Sequence, residues 1–214
     1  LTEDREIVVS GKLMEKLGIT GFDRQQFSQL CDGINPATGK SLTARPRKRG
    51  ELRRVALDMT IGVPKSVSEM MMIQGDRRLF DAVSRANQDT LRLVEADMCV
   101  RERVGKADHD RPTGNGLFHS FWDPTTRPEG GEVDCHGHWH NLIWNASFDP
   151  AKDRIMAAQL QRFDDNGLKL YRPHYQAYFN NQLRRYVELL GYRTRDTQFA
   201  FEIGDALLQL PILV

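Results

Sequence analysis

The stretch over residues 133–148, VDCHGHWHNLIWNASF, holds three of the chain's six histidines. It has the pattern of a β-strand, in which side chains two residues apart lie on the same face. His136, His138 and His140 would then share one face, with successive rings about 6.5–7 Å apart along the strand. Two neighbouring imidazoles at that spacing can bind one metal ion. The stretch therefore predicts a strand that carries a metal site.

Other predicted strands and two long helices surround this segment. Residues 53–63 alternate apolar and polar positions as a strand does, and residues 116–122 have strand-like propensity. Apolar stripes predict helices over 76–104 and 172–192. Irregular structure is predicted in a loop at 106–116 and a turn-rich insertion at 123–132. This order predicts an α+β fold, with a central, mostly antiparallel β-sheet and helices packed on one face.

Composition excludes several classes of protein. The chain has 214 residues, and its 30 basic and 29 acidic side chains give a net charge of +1, which argues against a protein that coats nucleic acid by charge alone. No apolar run approaches the roughly 18–20 residues that span a bilayer. The three cysteines are too few and too scattered for a disulfide scaffold, and they fit a reducing cytoplasm. The chain starts at Leu1 rather than methionine, which indicates processing or a start inside a longer protein.

Further side chains could complete a metal site. A third ligand must come from another strand, and His119 in the strand-like run is the natural candidate. Three imidazoles without a thiolate would leave coordination positions open for water or substrate. Asp58, on the polar face of its strand, either orients a ligand histidine or is an ordinary N-cap or salt-bridge aspartate. Spacing alone leaves both roles open.

A basic run follows the first helical segments. Residues 45–54 read RPRKRGELRR and hold six basic residues and one acidic residue. They form either a solvated loop or a loop that contacts phosphates. The basic residues are Arg45, Arg47, Lys48, Arg49, Arg53 and Arg54.

Four blocks of the chain form a recognisable series: FSQLCDGINPATGKSL (27–42), LDMTIGVPKSVSEM (57–70), FHSFWDPTTR (118–127) and HWHNLIWN (138–145). In this order they resemble the blocks of MobF-type conjugative relaxases, the histidine-hydrophobe-histidine endonucleases that nick plasmid DNA at a transfer origin. The resemblance covers about Gly11 to Tyr192, and LDMTIGVPKSVS is its most specific motif.

The resemblance implies a metal centre and its ligands. His119, His138 and His140 would bind a divalent metal ion, which could be Mg, Mn, Zn or Ni. His136 has no counterpart in the family pattern and would be a neighbour or a substitute ligand. Asp58 would orient a ligand or take the proton of the nucleophile.

It also implies how DNA is held and cut. Lys65 and the basic run would hold the DNA backbone, and an exposed aromatic such as Trp122 could stack on unpaired bases. The nucleophilic tyrosines of the family lie near the N-terminus, yet residues 1–57 contain no tyrosine, so we expect the nucleophile to precede Leu1 in a longer protein. Tyr171, Tyr175 and Tyr178 share one helix face and are lesser candidates, because Pro173 lies at the helix start and a packed aromatic stripe is the ordinary explanation of this pattern.

The sequence thus predicts one relaxase-like catalytic domain over residues 1–214, without the N-terminal tyrosine segment. It would nick and rejoin single-stranded or hairpin DNA at an origin of transfer in the cytoplasm. A fused helicase domain and accessory conjugation proteins would be its partners. One alternative is a non-catalytic single-stranded DNA-binding module that keeps the relaxase fold. Another is an unrelated metalloenzyme that uses a histidine triad.

Overall fold

The computed structural model of the chain describes residues 6–43, 54–126, 131–160 and 172–204. Its helices are α1 (Leu13–Lys16), α2 (Arg24–Cys31), α3 (Lys65–Met72), α4 (Arg77–Ala96) and α5 (Arg172–Leu189). Its strands are β1 (Ile7–Ser10), β2 (Ala56–Gly62), β3 (Met98–Val104), β4 (Ala107–Pro112), β5 (Phe118–Thr126), β6 (Asp134–Trp144), β7 (Ser147–Asp149), β8 (Arg154–Met156), β9 (Ala158–Leu160), β10 (Thr194–Asp196) and β11 (Phe201–Ile203).

A four-stranded sheet in the order β1-β5-β6-β2 carries the predicted site. Strands β1 and β5 pair antiparallel, with Ile7 opposite Phe121 and Ser10 opposite Phe118. A second sheet has the order β4-β3-β9, and β3 pairs antiparallel with both of its neighbours. The predicted α+β fold with a mostly antiparallel sheet is confirmed.

Burial alternates along β6 and shows which face of the strand is covered. Gly137, Trp139, Asn141 and Ile143 are buried, whereas the histidines between them are only half-buried. Phe80 of α4 packs against Trp139, with ring centroids 6.1 Å apart. The histidines therefore lie on the opposite face of β6 from the one that α4 covers, because side chains alternate between the two faces of a strand.

The chain divides into two compact units. The first comprises Leu1–Met59, Leu91–Phe121 and His140–Tyr171. Its core includes Leu13, Leu30, Leu117 and Trp144. The Oε1 atom of Glu95 in this unit accepts hydrogen bonds from the backbone N–H groups of Lys12 (2.7 Å) and Gly116 (3.0 Å). This side chain thereby ties the chain before α1 to the chain before β5.

The second unit comprises Thr60–Thr90, Trp122–Trp139 and Arg172–Val214. One face of α5 is buried in it through Phe179, Leu183 and Val187. Ser66, near the start of α3, donates through its backbone N–H (2.8 Å) and its hydroxyl group to Glu202 of β11. Among the described helices, none combines the length and the apolar character that crossing a bilayer requires.

The predicted helix over 76–104 is wrong in its last part, and the loop predicted at 106–116 is wrong in its first part. Helix α4 ends at Ala96, and the following residues form the hairpin of β3 and β4. Gly105, with a φ of +66°, lies in the two-residue turn, and Val104 pairs with Ala107 across it. A positive φ suits the tight turns that connect paired strands, and glycine adopts it without steric cost.

The prediction that a turn-rich insertion starts at residue 123 is wrong. Strand β5 continues to Thr126, so Asp123 lies within a strand. Pro124 lies beyond the stretch of β5 that pairs with β1, which ends at Phe121. Proline is tolerated in a strand where no ladder hydrogen bond is required of it. The Asp-Pro pair therefore lies within the strand and does not end it.

Candidate metal centre

Three side chains converge on the half-buried face of the sheet. His138 and His140 come from β6 and Asp123 comes from β5. One potential ligand atom of each lies within 4.8 Å of those of the other two. Because all three side chains are only half-buried, a bound ion would be within reach of a substrate.

Hydrogen bonds fix the orientation of both imidazoles. Nδ1 of His140 lies 2.8 Å from Oδ2 of Asp58, and Nδ1 of His138 lies 3.2 Å from the carbonyl oxygen of His136. Carboxylate and carbonyl oxygens only accept hydrogen bonds, so each ring donates from a protonated Nδ1. In the neutral ring Nε2 is then the nitrogen with a lone pair for a metal. Of the two roles that the sequence left open for Asp58, this geometry matches orientation of a ligand.

Asp123 supplies an oxygen to the group. Its Oδ1 atom accepts a hydrogen bond from the backbone N–H of Thr125 (3.0 Å), which restrains the carboxylate. Two imidazole nitrogens and one carboxylate oxygen, with further positions open, are a donor set that divalent cations occupy in catalytic sites. The residues present therefore fit a divalent metal ion.

His119, the predicted third ligand, does not belong to this group. It is four residues before Asp123 on β5, or about 13 Å along a strand. Its Nδ1 atom accepts a hydrogen bond from Nε1 of Trp144 (2.8 Å), and Phe27 packs against the ring. Only 2% of His119 is exposed, and this burial lowers its pKa to about 4. The structure therefore corrects the three-histidine set, because His119 is a neutral core side chain.

His136 is anchored to the backbone instead of joining the group. Its Nε2 atom donates to the carbonyl oxygen of Val63 (3.0 Å). The backbone of the next residue, Gly137, makes two further hydrogen bonds. Its carbonyl oxygen accepts from the N–H of Val63 (3.0 Å), and its N–H donates to the hydroxyl group of Ser68 (3.2 Å). Residues of the LDMTIGVPKSVS motif thus hold the first half of β6 directly before His138.

Lys65, predicted to hold DNA, is engaged within the protein. Its Nζ atom donates to the carboxylate of Asp134 and to the carbonyl oxygen of Cys135 (2.8 Å), and it lies 3.9 Å from Glu69. The hydrogen bond to Asp134 raises the pKa of Lys65. These contacts indicate a brace for the start of β6.

The other predicted DNA contacts have different outcomes. Trp122 is only 8% exposed and packs edge-on against Phe80, so its ring has no open face for a base. Arg54 is exposed, and its carbonyl oxygen accepts a hydrogen bond from Asn145 (2.9 Å). The remaining basic positions lie outside the described residues: Arg45, Arg47, Lys48, Arg49 and Arg53.

Three of the four described tyrosines are poorly suited to attack a phosphate. Tyr175 is completely buried, which contradicts its candidacy, while Tyr178 is half-buried and Tyr171 lies outside the described residues. The hydroxyl groups of Tyr186 and Tyr192 each donate to an aspartate at 2.5 Å. Burial and this hydrogen bond raise the pKa of Tyr192 to about 12.

Asp123 is the functional residue that sequence reasoning missed. The signal was present, because Phe118, Ser120 and Trp122 alternate with His119, Phe121 and Asp123 as the two faces of one strand. Interpreting Asp-Pro-Thr-Thr as a turn ended the predicted strand at residue 122, directly before Asp123, whereas β5 continues to Thr126.

Comparison with known proteins agrees with this geometry. The family model described as TrwC relaxase matches residues 2–207. The multifunctional conjugation protein TraI of Escherichia coli is 30% identical over 189 residues, which are 86% of this chain and 10% of TraI. The chain therefore spans about a tenth of the length of that relative.

Solved structures share the fold. Conjugative relaxase TrwC in a metal-bound complex with oriT DNA has a TM-score of 0.79 and 26% identity, covering 92% of this chain and 65% of TrwC. TrwC bound to a 27-mer DNA with the recognition hairpin and the cleavage site has a TM-score of 0.78 and 26% identity, covering 92% and 68%. The family model covers nearly the whole chain, and the resemblance seen in the four sequence blocks is confirmed: the chain belongs to the TrwC relaxase family, whose members are MobF-type conjugative relaxases.

Proposed function

We propose that this chain is the catalytic domain of a relaxase that nicks and rejoins single-stranded DNA at an origin of transfer. The observation that carries the proposal is the convergence of Asp123, His138 and His140 on one half-buried sheet face. The TrwC complexes with oriT DNA, one of them with a recognition hairpin and a cleavage site, support this substrate class.

Three side chains would hold the metal ion and Asp58 would hold one of its ligands in place. A divalent ion bound there supplies positive charge to the scissile phosphate as the transition state develops. Asp58 keeps His140 in the tautomer that presents Nε2, and the carbonyl oxygen of His136 does the same for His138. The donor set is compatible with Mg, Mn, Zn or Ni, and the mixed nitrogen and oxygen ligands favour Mn or Zn.

The nucleophile is a tyrosine in sequence that precedes Leu1, with Tyr178 as the remaining candidate among the described residues. Its oxygen loses the phenolic proton and forms a bond to the phosphorus, while the bond to the departing sugar oxygen breaks and that oxygen takes up a proton. Attack by that sugar oxygen on the phosphotyrosine reverses the exchange and rejoins the strand. One ester replaces another in each direction, so the energy of the cut bond is retained.

DNA phosphates would be held by the basic run, of which Arg54 is described and exposed. Since the relative TraI is a multifunctional conjugation protein about ten times longer, we place this domain in a longer protein. A helicase domain in the same protein and accessory conjugation proteins are the partners that this function predicts.

A covalent trapping assay tests the proposal. The protein with its native N-terminal sequence is incubated with a labelled oligonucleotide from the transfer origin of the replicon that encodes it, and the products are separated under denaturing conditions. We expect a covalent protein–DNA adduct with Mn²⁺ or Mg²⁺. The adduct should be lost with EDTA and with His138→Ala.

Tight binding of the same oligonucleotide without any adduct would overturn the catalytic proposal. It would favour the second candidate function, a DNA-binding module that keeps the relaxase fold. This second candidate stays open because residues 1–57 contain no tyrosine.

A further inference from the structure

Phe22 is an exposed aromatic side chain on a rigid support. It is 41% exposed and lies in the turn between α1 and α2, directly before the N-cap residue Asp23. The side chain of Asp23 accepts a hydrogen bond from the N–H of Gln26 (2.8 Å), which fixes the start of α2. Phe22 and Phe27, on either side of this cap, have ring centroids 5.9 Å apart, the contact of a hydrophobic staple.

Two further rings hold Phe22 from strand β5. His119 and Phe121 contact it edge to face, at centroid distances of 6.1 and 6.3 Å and interplanar angles of 75° and 82°. Phe27 also packs edge to face against Phe121, at 5.9 Å. Phe22, Phe27, His119 and Phe121 thus form an aromatic cluster. The other three rings restrain Phe22, although 41% of its side chain is exposed to solvent.

The position of Phe121 relates this cluster to the metal centre. Phe121 is half-buried and precedes Asp123 by two residues on β5, so both point to the same face, about 7 Å apart along the strand. The same alternation places His140 and Trp144 on one face of β6. Trp144 donates a hydrogen bond to His119 of the cluster. The aromatic cluster and the ligands are therefore neighbours on one surface.

We propose that Phe22 and Phe121 form a base-stacking surface for an unpaired nucleotide next to the phosphate at the metal centre. The inference rests on the proposed function. An aromatic face binds any base, because every base has a π-face, and the ordered rings lose little entropy on binding. Trp122, which the resemblance offered as a side chain that could stack on bases, is buried, and Phe22 takes this role.

A purely structural role for Phe22 predicts a different pattern of variants. Leucine at position 22 keeps the apolar staple contact with Phe27 but has no aromatic face. Tryptophan at position 22 keeps the apolar contact with Phe27 and has an aromatic face. A staple alone would tolerate leucine, whereas a stacking surface needs an aromatic ring.

The test uses the full-length protein in EDTA, so that no cleavage occurs. Two fluorescein-labelled probes are titrated by anisotropy: oligo(dT)20 and a 20-unit abasic deoxyribose-phosphate strand. We expect Phe22→Ala and Phe22→Leu to weaken oligo(dT)20 binding about 5- to 20-fold, the lower part of the range for loss of one stacked base. Binding of the abasic strand should not change, and Phe22→Trp should bind like the wild type. Phe199→Ala, which removes a phenylalanine that is 83% exposed, is the matched control and should have no effect.

Three outcomes would overturn the inference. If Phe22→Leu binds oligo(dT)20 like the wild type, Phe22 is a staple only. If both probes weaken equally, the variants have disturbed a phosphate-binding surface. If the wild-type protein binds neither probe, it has no stacking surface for an unpaired base and the inference fails, whereas the proposed function is tested separately by the covalent adduct with transfer-origin DNA.

Discussion

Replacement of Asp58 tests whether a carboxylate outside the ligand set controls the metal centre. Its Oδ2 atom accepts the Nδ1–H of His140 at 2.8 Å, and the two side chains are 46% and 38% exposed. In Asp58→Asn the amide oxygen can still accept this hydrogen bond, but without the negative charge. Asp58→Ala removes the acceptor and leaves the His140 ring free to rotate.

The magnitudes follow from the chemistry of that hydrogen bond. A hydrogen bond to a charged group contributes about 1.5–3 kcal/mol, against about 0.5–1.5 kcal/mol for a neutral one. The difference of roughly 1 kcal/mol corresponds to about fivefold in metal affinity at an exposed pair. Loss of an outer-shell partner costs about 10–100-fold, so Asp58→Ala should be the weaker binder of the two.

Calorimetric titration with Mn²⁺ measures the metal affinity of the full-length wild type and of the two Asp58 variants. Thermal unfolding of both variants should match the wild type, because Asp58 is exposed and substitutions at exposed sites change stability by less than about 0.5 kcal/mol. Asp108→Asn on β4 replaces another exposed strand aspartate and should bind Mn²⁺ like the wild type. Wild-type affinity in both Asp58 variants would refute the positioning role.

Three further outcomes follow from particular contacts. Gly137→Ala should lower the free energy of unfolding by about 1–3 kcal/mol, because its Cβ would lie 2.3 Å from the Trp122 ring, whereas Gly62→Ala has open space and serves as the control in chemical denaturation. His119 binds its proton at a pKa of about 4 in the fold and about 6.5 when unfolded, so stability present above pH 6.5 is lost as the pH falls through 4. The unfolding free energy of the wild type should therefore fall by about 3 kcal/mol more than that of His119→Gln over this range, and equal losses would contradict a buried neutral ring. Lys65→Met should leave the slope of log Kd for oligo(dT)20 against log salt unchanged, since the Lys65 charge is already paired, and a slope smaller by about 1 would mean that it contacts a phosphate.

Much of the sheet could be predicted from alternation alone. The two-residue period of β6 placed His138 and His140 on one face, and the polar position of Asp58 in β2 placed it where it reaches His140. These positions depend on local strand geometry, which a single sequence encodes directly.

The errors arose where tertiary pairing overrides local patterns. The residues after Ala96 fit a helical stripe, but Met98–Val104 pairs on both sides with other strands, and that partner choice is not encoded locally. His119 has the right residue type on the right strand face, yet it is too far along β5 from the other ligands. Asp123 was missed because its neighbour Pro124 is a turn signal wherever strand pairing is unknown.

Mn²⁺ binding to Asp123→Ala and to His119→Gln, measured side by side in the full-length protein, tests the assignment of the third ligand most directly. We expect Asp123→Ala to weaken binding by at least the roughly 10–100-fold that loss of an outer-shell partner causes. His119→Gln should keep the wild-type affinity, since the amide oxygen of the introduced glutamine can still accept a hydrogen bond from Trp144. Full affinity in Asp123→Ala together with a large loss in His119→Gln would contradict the centre described above.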